Sequence, residues 1–198
     1  LDFPLFSSLS FDLTITSLFL PLISGGRLII YPQSQDTSQI TIRNVIEDNR
    51  VDIIKLTPAH LVLIQNMDLS ASKLKKLVVG GDDFKTELAL NIDKFFAGNI
   101  EIYNEYGPTE ATVACTVHRF NPLLNRSASV PIGNPISNAC IYVLDEHMHP
   151  VPQGVIGEIY IGGIGLAKGY LHNEALTNER FVDYPHAKML DDQSKQMR

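Results

Sequence analysis

The feature that most constrains this chain is the exchange, along its first half, between short β-branched runs and longer segments of helical spacing. The short runs are Arg27 to Tyr31, Val51 to Ile54, Lys76 to Val79 and Ile100 to Tyr103. The helical segments are Phe11 to Ile23, Ile40 to Ile46, Pro58 to Met67 and Phe84 to Phe96. Strand-like and helix-like periods that alternate in this way argue for a parallel or mixed sheet covered by helices. Gly25-Gly26 predicts the C-cap of a buried helix over 11–23, and Pro58 stands where a helix tolerates proline in its first turn.

Beyond Glu110 the pattern changes. Thr112 to Val117, Ala139 to Leu144 and Glu158 to Ile161 read as strands, separated by the proline- and glycine-containing stretches 121–137 and 145–157. The fold class expected is therefore α/β, with a mixed sheet flanked by helices and a β-richer C-terminal part. Residues 1–183 are expected to form the folded region and 184–198 a polar, mobile tail. With 44% hydrophobic residues among 198, the chain can bury one sizeable core.

Charge and apolar spacing exclude several partners. A net charge of −6 without a basic run argues against nucleic acid and anionic membrane. The longest apolar candidate, Ile15 to Ile23, is broken by Thr16, Ser17 and Pro21, well short of the roughly 18 residues that span a bilayer. Cys115 and Cys140 lack a CxxC spacing and are expected to be reduced, in keeping with a cytoplasmic location. The chain starts at Leu1 without a basic segment leading into an apolar one, so it is expected to be a piece of something larger without a secretory signal.

Three stretches carry chemistry. Asn104-Glu105-Tyr106-Gly107-Pro108-Thr109-Glu110 is a polar, turn-forming segment directly after an apolar strand, where ligand sites of α/β sheets lie. Tyr106 offers a ring for stacking, Thr109 a hydroxyl for a phosphate and Glu110 a carboxylate for a hard cation, although a capped loop would use the same residue types. Gly157 to Leu171 holds five of the 13 glycines, a density that implies turning or close backbone approach, yet it lacks the G-x-G-x-x-G order of a dinucleotide loop. In Phe11-Asp12-Leu13-Thr14 a single carboxylate sits among apolar residues; it either caps the helix or anchors a cationic ligand group. His147 and His149 lack a third ligand and read as surface residues.

In their order and spacing the three stretches resemble the adenylation domains of non-ribosomal peptide synthetases. Phe11 to Thr14 matches the FDxS-type segment, Asn104 to Glu110 the NxYGPTE segment, and Gly157 to Leu171 the GELxIxGxGxARGYL segment, with Lys168 in place of the usual arginine. The resemblance implies a partial adenylation domain over 1–183, one of the two large sheet subdomains of the N-terminal core of an adenylate-forming enzyme. It implies binding of an amino acid, ATP and magnesium, formation of an aminoacyl-AMP, and transfer to the phosphopantetheine thiol of a partner carrier protein. Asp12 would pair with the substrate ammonium; Gly81, Asp82, Asn104, Tyr106 and Gly107 would line the nucleotide site; Thr109 would meet the α-phosphate, and Glu110 magnesium, these two being the catalytic pair. The specificity positions would be Asp12, Leu13, Thr16, Lys55, Val78, Gly80, Glu105, Val113 and Ala114.

Lys55 only donates and an ionised Glu105 only accepts, so together they suit a carboxamide side chain, unless they merely pair with each other. Asparagine is expected, with aspartate second because its carboxylate would face Glu105. The family's aspartate-type pockets more often carry histidine at the position of Glu105. The resemblance also places a phosphate loop and a lysine-bearing C-terminal subdomain outside these residues, so the chain alone is expected to be inactive and to need the remainder of the domain as partner. The alternatives are a fragment of an acyl- or aryl-CoA ligase and a non-catalytic binding subdomain.

Overall fold

The computed structural model describes residues 1–32, 38–184 and 195–197. They fall into two compact units: Leu1–Tyr106 with Val117–Gly133, and Gly107–Thr116 with Asn134–Arg198. The tail expected over 184–198 lies outside the described residues except for Tyr184 and a short strand at Lys195–Met197.

The first unit contains strands β1 (Phe3–Leu5), β2 (Leu28–Ile30), β3 (Ile53–Leu56), β4 (Lys76–Gly80) and β5 (Glu101–Tyr106), with helices α1 (Leu13–Ser24), α2 (Ser38–Asp48), α3 (Pro58–Ile64) and α4 (Thr86–Phe95) between them. β1 and β2 form a parallel pair, and β3, β4 and β5 run parallel in that order, with β6 (Thr116–Arg119) next to β5. Every residue of β3 is buried, as expected of a strand covered on both faces. Ile54, Leu56, Leu77, Val79 and Ile102 of the sheet pack with Ile42 and Val45 of α2, Leu61 and Ile64 of α3, and Ala89 and Ile92 of α4. The alternation in the sequence is thus realised as a parallel sheet with a single apolar cluster.

Helix starts follow local rules. At α3, Pro58 occupies the first turn and the backbone N–H of Thr57 donates to His60 Nδ1 at 3.2 Å, the role a glutamate plays in an ordinary capping box. At the far end of α1, Gly25 adopts φ +68° and the N–H of Gly26 donates to Pro21 O, so the expected glycine cap is present.

The burial expected of α1 is corrected. Its buried residues are Thr14, Ser17 and Pro21, facing β1 and β3, while Phe19, Leu22 and Ile23 are 57%, 69% and 78% exposed. The large apolar residues of α1 are spread round the helix and so do not say which face turns inward, and the small residues fit closest to the sheet.

The expectation that β5 ends at Tyr103 is also corrected, since it continues to Tyr106. Polar residues sustain it because each finds a partner: buried Asn104 donates from Nδ2 to Val130 O and Pro131 O, both at 3.0 Å, and Glu105 pairs with Lys55. Likewise the strand expected over 112–117 begins only at Thr116, because Thr112 and Val113 take left-handed φ of 59° and 74°.

The second unit is β-rich, as expected. Following β7 (Asn134–Pro135), strands β8 (Ala139–Leu144), β9 (Glu158–Gly163), β10 (Phe181–Asp183) and β11 (Lys195–Met197) form an antiparallel sheet in the order β10-β11-β9-β8, with helix α5 (Glu174–Arg180) preceding β10. Two small clusters stabilise it, one of Leu144, Tyr160 and Tyr184, the other of Ala111, Cys115 and Ile161. Both cysteines are thiols, and burial pushes that of Cys115 up. Among the described residues no helix is long and apolar enough to cross a membrane.

Candidate functional site

In the first unit the expected substrate positions gather at the C-terminal ends of the parallel strands. The register sets Lys55 beside Val78 and Gly80 beside Glu105. Lys55 is buried, its side chain only 4% exposed, and Nζ donates to Glu105 Oε2 at 2.7 Å and to Thr16 Oγ1 at 3.0 Å. Thus α1, β3 and β5 each supply one member of a polar trio inside an apolar surround. An ammonium so deeply buried is tolerated only when it is paired and hydrogen-bonded, and both conditions hold here.

The neighbouring positions are shaped by backbone. A Cβ on Gly80 would lie 3.0 Å from Glu105 O, so glycine lets the two strands close up at the trio. Gly81 follows with φ +85°. Val78, the register neighbour of Lys55, and Leu13, three residues before Thr16 at the start of α1, are half-buried. Asp12 stands at the N-cap position of α1 in helical conformation, half-buried, with no capping hydrogen bond from its carboxylate. Its side chain is therefore not spent on the helix. Asp82 is exposed and accepts from the N–H of Asp83 at 2.7 Å. Asn104 has both amide hydrogens committed to the 130–131 backbone, which leaves Oδ1 for a ligand, and the Tyr106 ring is exposed at the end of β5.

In the second unit, Gly107 opens the turn that carries the remaining candidates. A Cβ on Gly107 would stand 2.6 Å from Ala114 Cα, so only glycine fits as residues 107 and 114 pass one another. Pro108 leads into a 3₁₀ turn over Thr109–Ala111, which leaves Thr109 exposed and Glu110 half-buried. The left-handed backbone at Val113, a β-branched residue, costs on the order of 1–3 kcal/mol, and such strain concentrates at ligand sites. Val113 and Ala114, both half-buried, are the two expected substrate positions that fall in this unit.

The glycine-rich stretch closes against this turn. A Cβ on Gly163 would meet Asn138 O at 2.1 Å, which accounts for the glycine at the end of β9. Thr112 Oγ1 donates to Gly165 O, the N–H of Ala167 donates to Glu110 O at 2.7 Å, and Tyr170 Oη donates to Glu110 Oε1. That last bond raises the Tyr170 phenol above its ordinary value. Sequence reasoning gave Tyr170 no role. It lies within the matched GYL segment, but 60 residues separate it from Glu110 and no local pattern links them.

Among the described residues no three His, Cys, Asp or Glu side chains are placed to hold a metal ion. Glu110 alone, with Oε2 left over, suits a cation that takes one carboxylate and completes its shell with phosphates and water, the usual mode of magnesium. His147 is exposed, and His118 pairs with Asn125 at 3.0 Å, so neither belongs to a metal set.

Residues 2–171 match the AMP-binding enzyme family. This chain belongs to that family. It is 52% identical over 185 residues to bacitracin synthase 3 of Bacillus licheniformis, covering 93% of this chain and 3% of that protein. It is 49% identical over 184 residues to tyrocidine synthase 3 of Brevibacillus parabrevis, again covering 93% of this chain and 3% of that protein. The chain therefore spans only a small part of the curated relatives it matches. Its fold is that of the Klebsiella oxytoca NpsA N-terminal subdomain, solved with 3-hydroxybenzoyl-AMSN, at a TM-score of 0.83 and 24% identity over 100% of this chain and 49% of that one. An artificially fused adenylation-PCP di-domain, NpsA-ThdA, matches with a TM-score of 0.82 at 24% identity over 98% and 35%. AMP-binding enzymes are thus the frame in which the trio and the Glu110 turn are to be understood.

Proposed function

We propose that this segment of an AMP-binding enzyme belongs to an adenylation domain of a peptide synthetase that activates L-asparagine, with aspartate as the weaker substrate. The observation that carries the reading is the Lys55–Glu105–Thr16 trio. Of the three Nζ donors, two are engaged by Glu105 and Thr16, which leaves one for an incoming acceptor. Glu105 keeps Oε1 for an incoming donor. A carboxamide satisfies both at once, whereas a carboxylate satisfies Lys55 and is repelled by Glu105. An apolar or aryl side chain would leave both charges without a ligand partner.

The other roles follow from chemistry. Asp12, free of capping duty, would anchor the substrate ammonium, and Leu13, Val78, Gly80, Val113 and Ala114 would shape the remaining wall. Gly81, Asp82, Asn104, Tyr106 and Gly107 would bound the nucleotide, and Thr109 would donate to the α-phosphate. Glu110 would hold magnesium, which when bound neutralises charge on the phosphates. The acyl group would pass to a phosphopantetheine thiol on a carrier protein, a reading supported by the adenylation-PCP fusion that shares this fold.

The test is amino-acid-dependent exchange of pyrophosphate with ATP, run on these 198 residues and on the complete adenylation domain that carries them. Asparagine should give the highest exchange in the complete domain, aspartate should follow, and the 198 residues alone should give none. A dominant response to aspartate or to an apolar amino acid would overturn the pocket reading.

A further inference from the structure

We propose that Tyr170 is a positioning residue for Glu110, and that the glycine-rich segment 163–170 serves as the frame that holds the cation-binding carboxylate in place. The inference rests on the proposed role of Glu110 as the magnesium ligand. Three bonds fasten the frame to the turn: Thr112 Oγ1 to Gly165 O, Ala167 N to Glu110 O, and Tyr170 Oη to Glu110 Oε1. The first two fix the backbone at and just after Glu110. Only the third reaches the carboxylate, and a hydroxyl donating to a charged acceptor makes one of the stronger neutral-to-ion bonds.

Tyr170 is itself held from two directions. Its N–H donates to Thr177 Oγ1 at 2.9 Å on α5, and its ring meets buried Phe181 edge-on, with centroids 5.7 Å apart. The hydroxyl therefore reaches Glu110 from a fixed base rather than from a mobile loop. With Oε1 occupied by this donor, the carboxylate presents Oε2 alone and in one orientation. That arrangement matches a cation bound through a single carboxylate oxygen, and partners of this kind around a ligand side chain tune metal affinity by about 10- to 100-fold.

The experiment uses the complete adenylation domain with a non-hydrolysable ATP analogue, and reads Mn2+ affinity by electron paramagnetic resonance together with the melting temperature. Tyr170→Phe keeps the ring on Phe181 and should weaken Mn2+ binding about tenfold at a nearly unchanged melting temperature. Thr112→Val unfastens the same frame at Gly165 and should weaken Mn2+ in the same direction by a smaller factor. Thr177→Val, which loosens the base of Tyr170, should lower the melting temperature and weaken Mn2+ binding by a smaller factor than Tyr170→Phe. In a Glu110→Gln background, Tyr170→Phe should add nothing further, because the two residues act as one unit. Wild-type Mn2+ affinity in Tyr170→Phe, alongside a loss in Glu110→Gln, would overturn the positioning role. Wild-type affinity in Glu110→Gln would instead overturn the cation reading, and the proposal with it.

Discussion

At the scale of single residues, the decisive fact is that a lysine and a glutamate 50 positions apart share one hydrogen bond in a buried place. Removing one partner of such a pair strands the other charge and is strongly destabilising, so the informative change is one that keeps an acceptor at position 105. Glu105→Gln removes the repulsion toward a substrate carboxylate while keeping an acceptor for a carboxamide. The preference for asparagine over aspartate, measured as the ratio of kcat/KM values in exchange assays on the complete domain, should fall by about tenfold. An unchanged ratio would mean that Glu105 only neutralises Lys55. The residue types were legible in the sequence, since a donor and an acceptor could be named; that each would already hold the other was not, because no spacing rule predicts a contact across the sheet.

Elements followed their local signals most closely where the signal was steric. Proline in the first turn of α3 and glycine at the end of α1 behaved as their backbones dictate. The histidine cap of α3 is less usual and has a consequence with pH. Burial lowers the His60 pKa, so the unfolded chain takes up the proton first as pH falls. Stability contributed here is complete above the ordinary imidazole value of about 6.5 and declines as pH drops from there toward the folded-state value. Denaturant midpoints of the complete domain at pH 7.5 and 5.5 should differ more in the wild type than in His60→Gln, where the cap persists without a titrating group. Equal pH dependence in the two would show that His60 is not the source. The polar end of β5 was misjudged in the sequence because Asn104 and Glu105 look like turn residues until their partners at Val130, Pro131 and Lys55 are known.

On the scale of the molecule, α1 turns its largest side chains outward. Phe19, Leu22 and Ile23 are joined by exposed Ile15 on the same helix and by Phe11 just before it, more apolar surface than an isolated helix of a stable monomer usually shows. The 198-residue chain expressed by itself should therefore self-associate in light scattering and bind an apolar dye. Replacing Phe19 and Ile23 by lysine should return it to a monomer. A clean monomer without those changes would mean that this face tolerates water. In the complete domain the same two lysines should destabilise the protein, because burying an unpaired ammonium is costly.

The sequence by itself determined the alternation of strands and helices, the β-rich second part, the helix stops at glycine and the family. These depend on period, on backbone sterics and on motifs contiguous along the chain. Tertiary structure alone decided which face of α1 is buried, how far β5 runs, that Lys55 meets Glu105 and Thr16, and that Tyr170 holds Glu110. Each of these is a contact between residues far apart in the chain, fixed by which partner can satisfy a buried charge or a hydrogen bond, and no property of a local stretch encodes the identity of a distant partner.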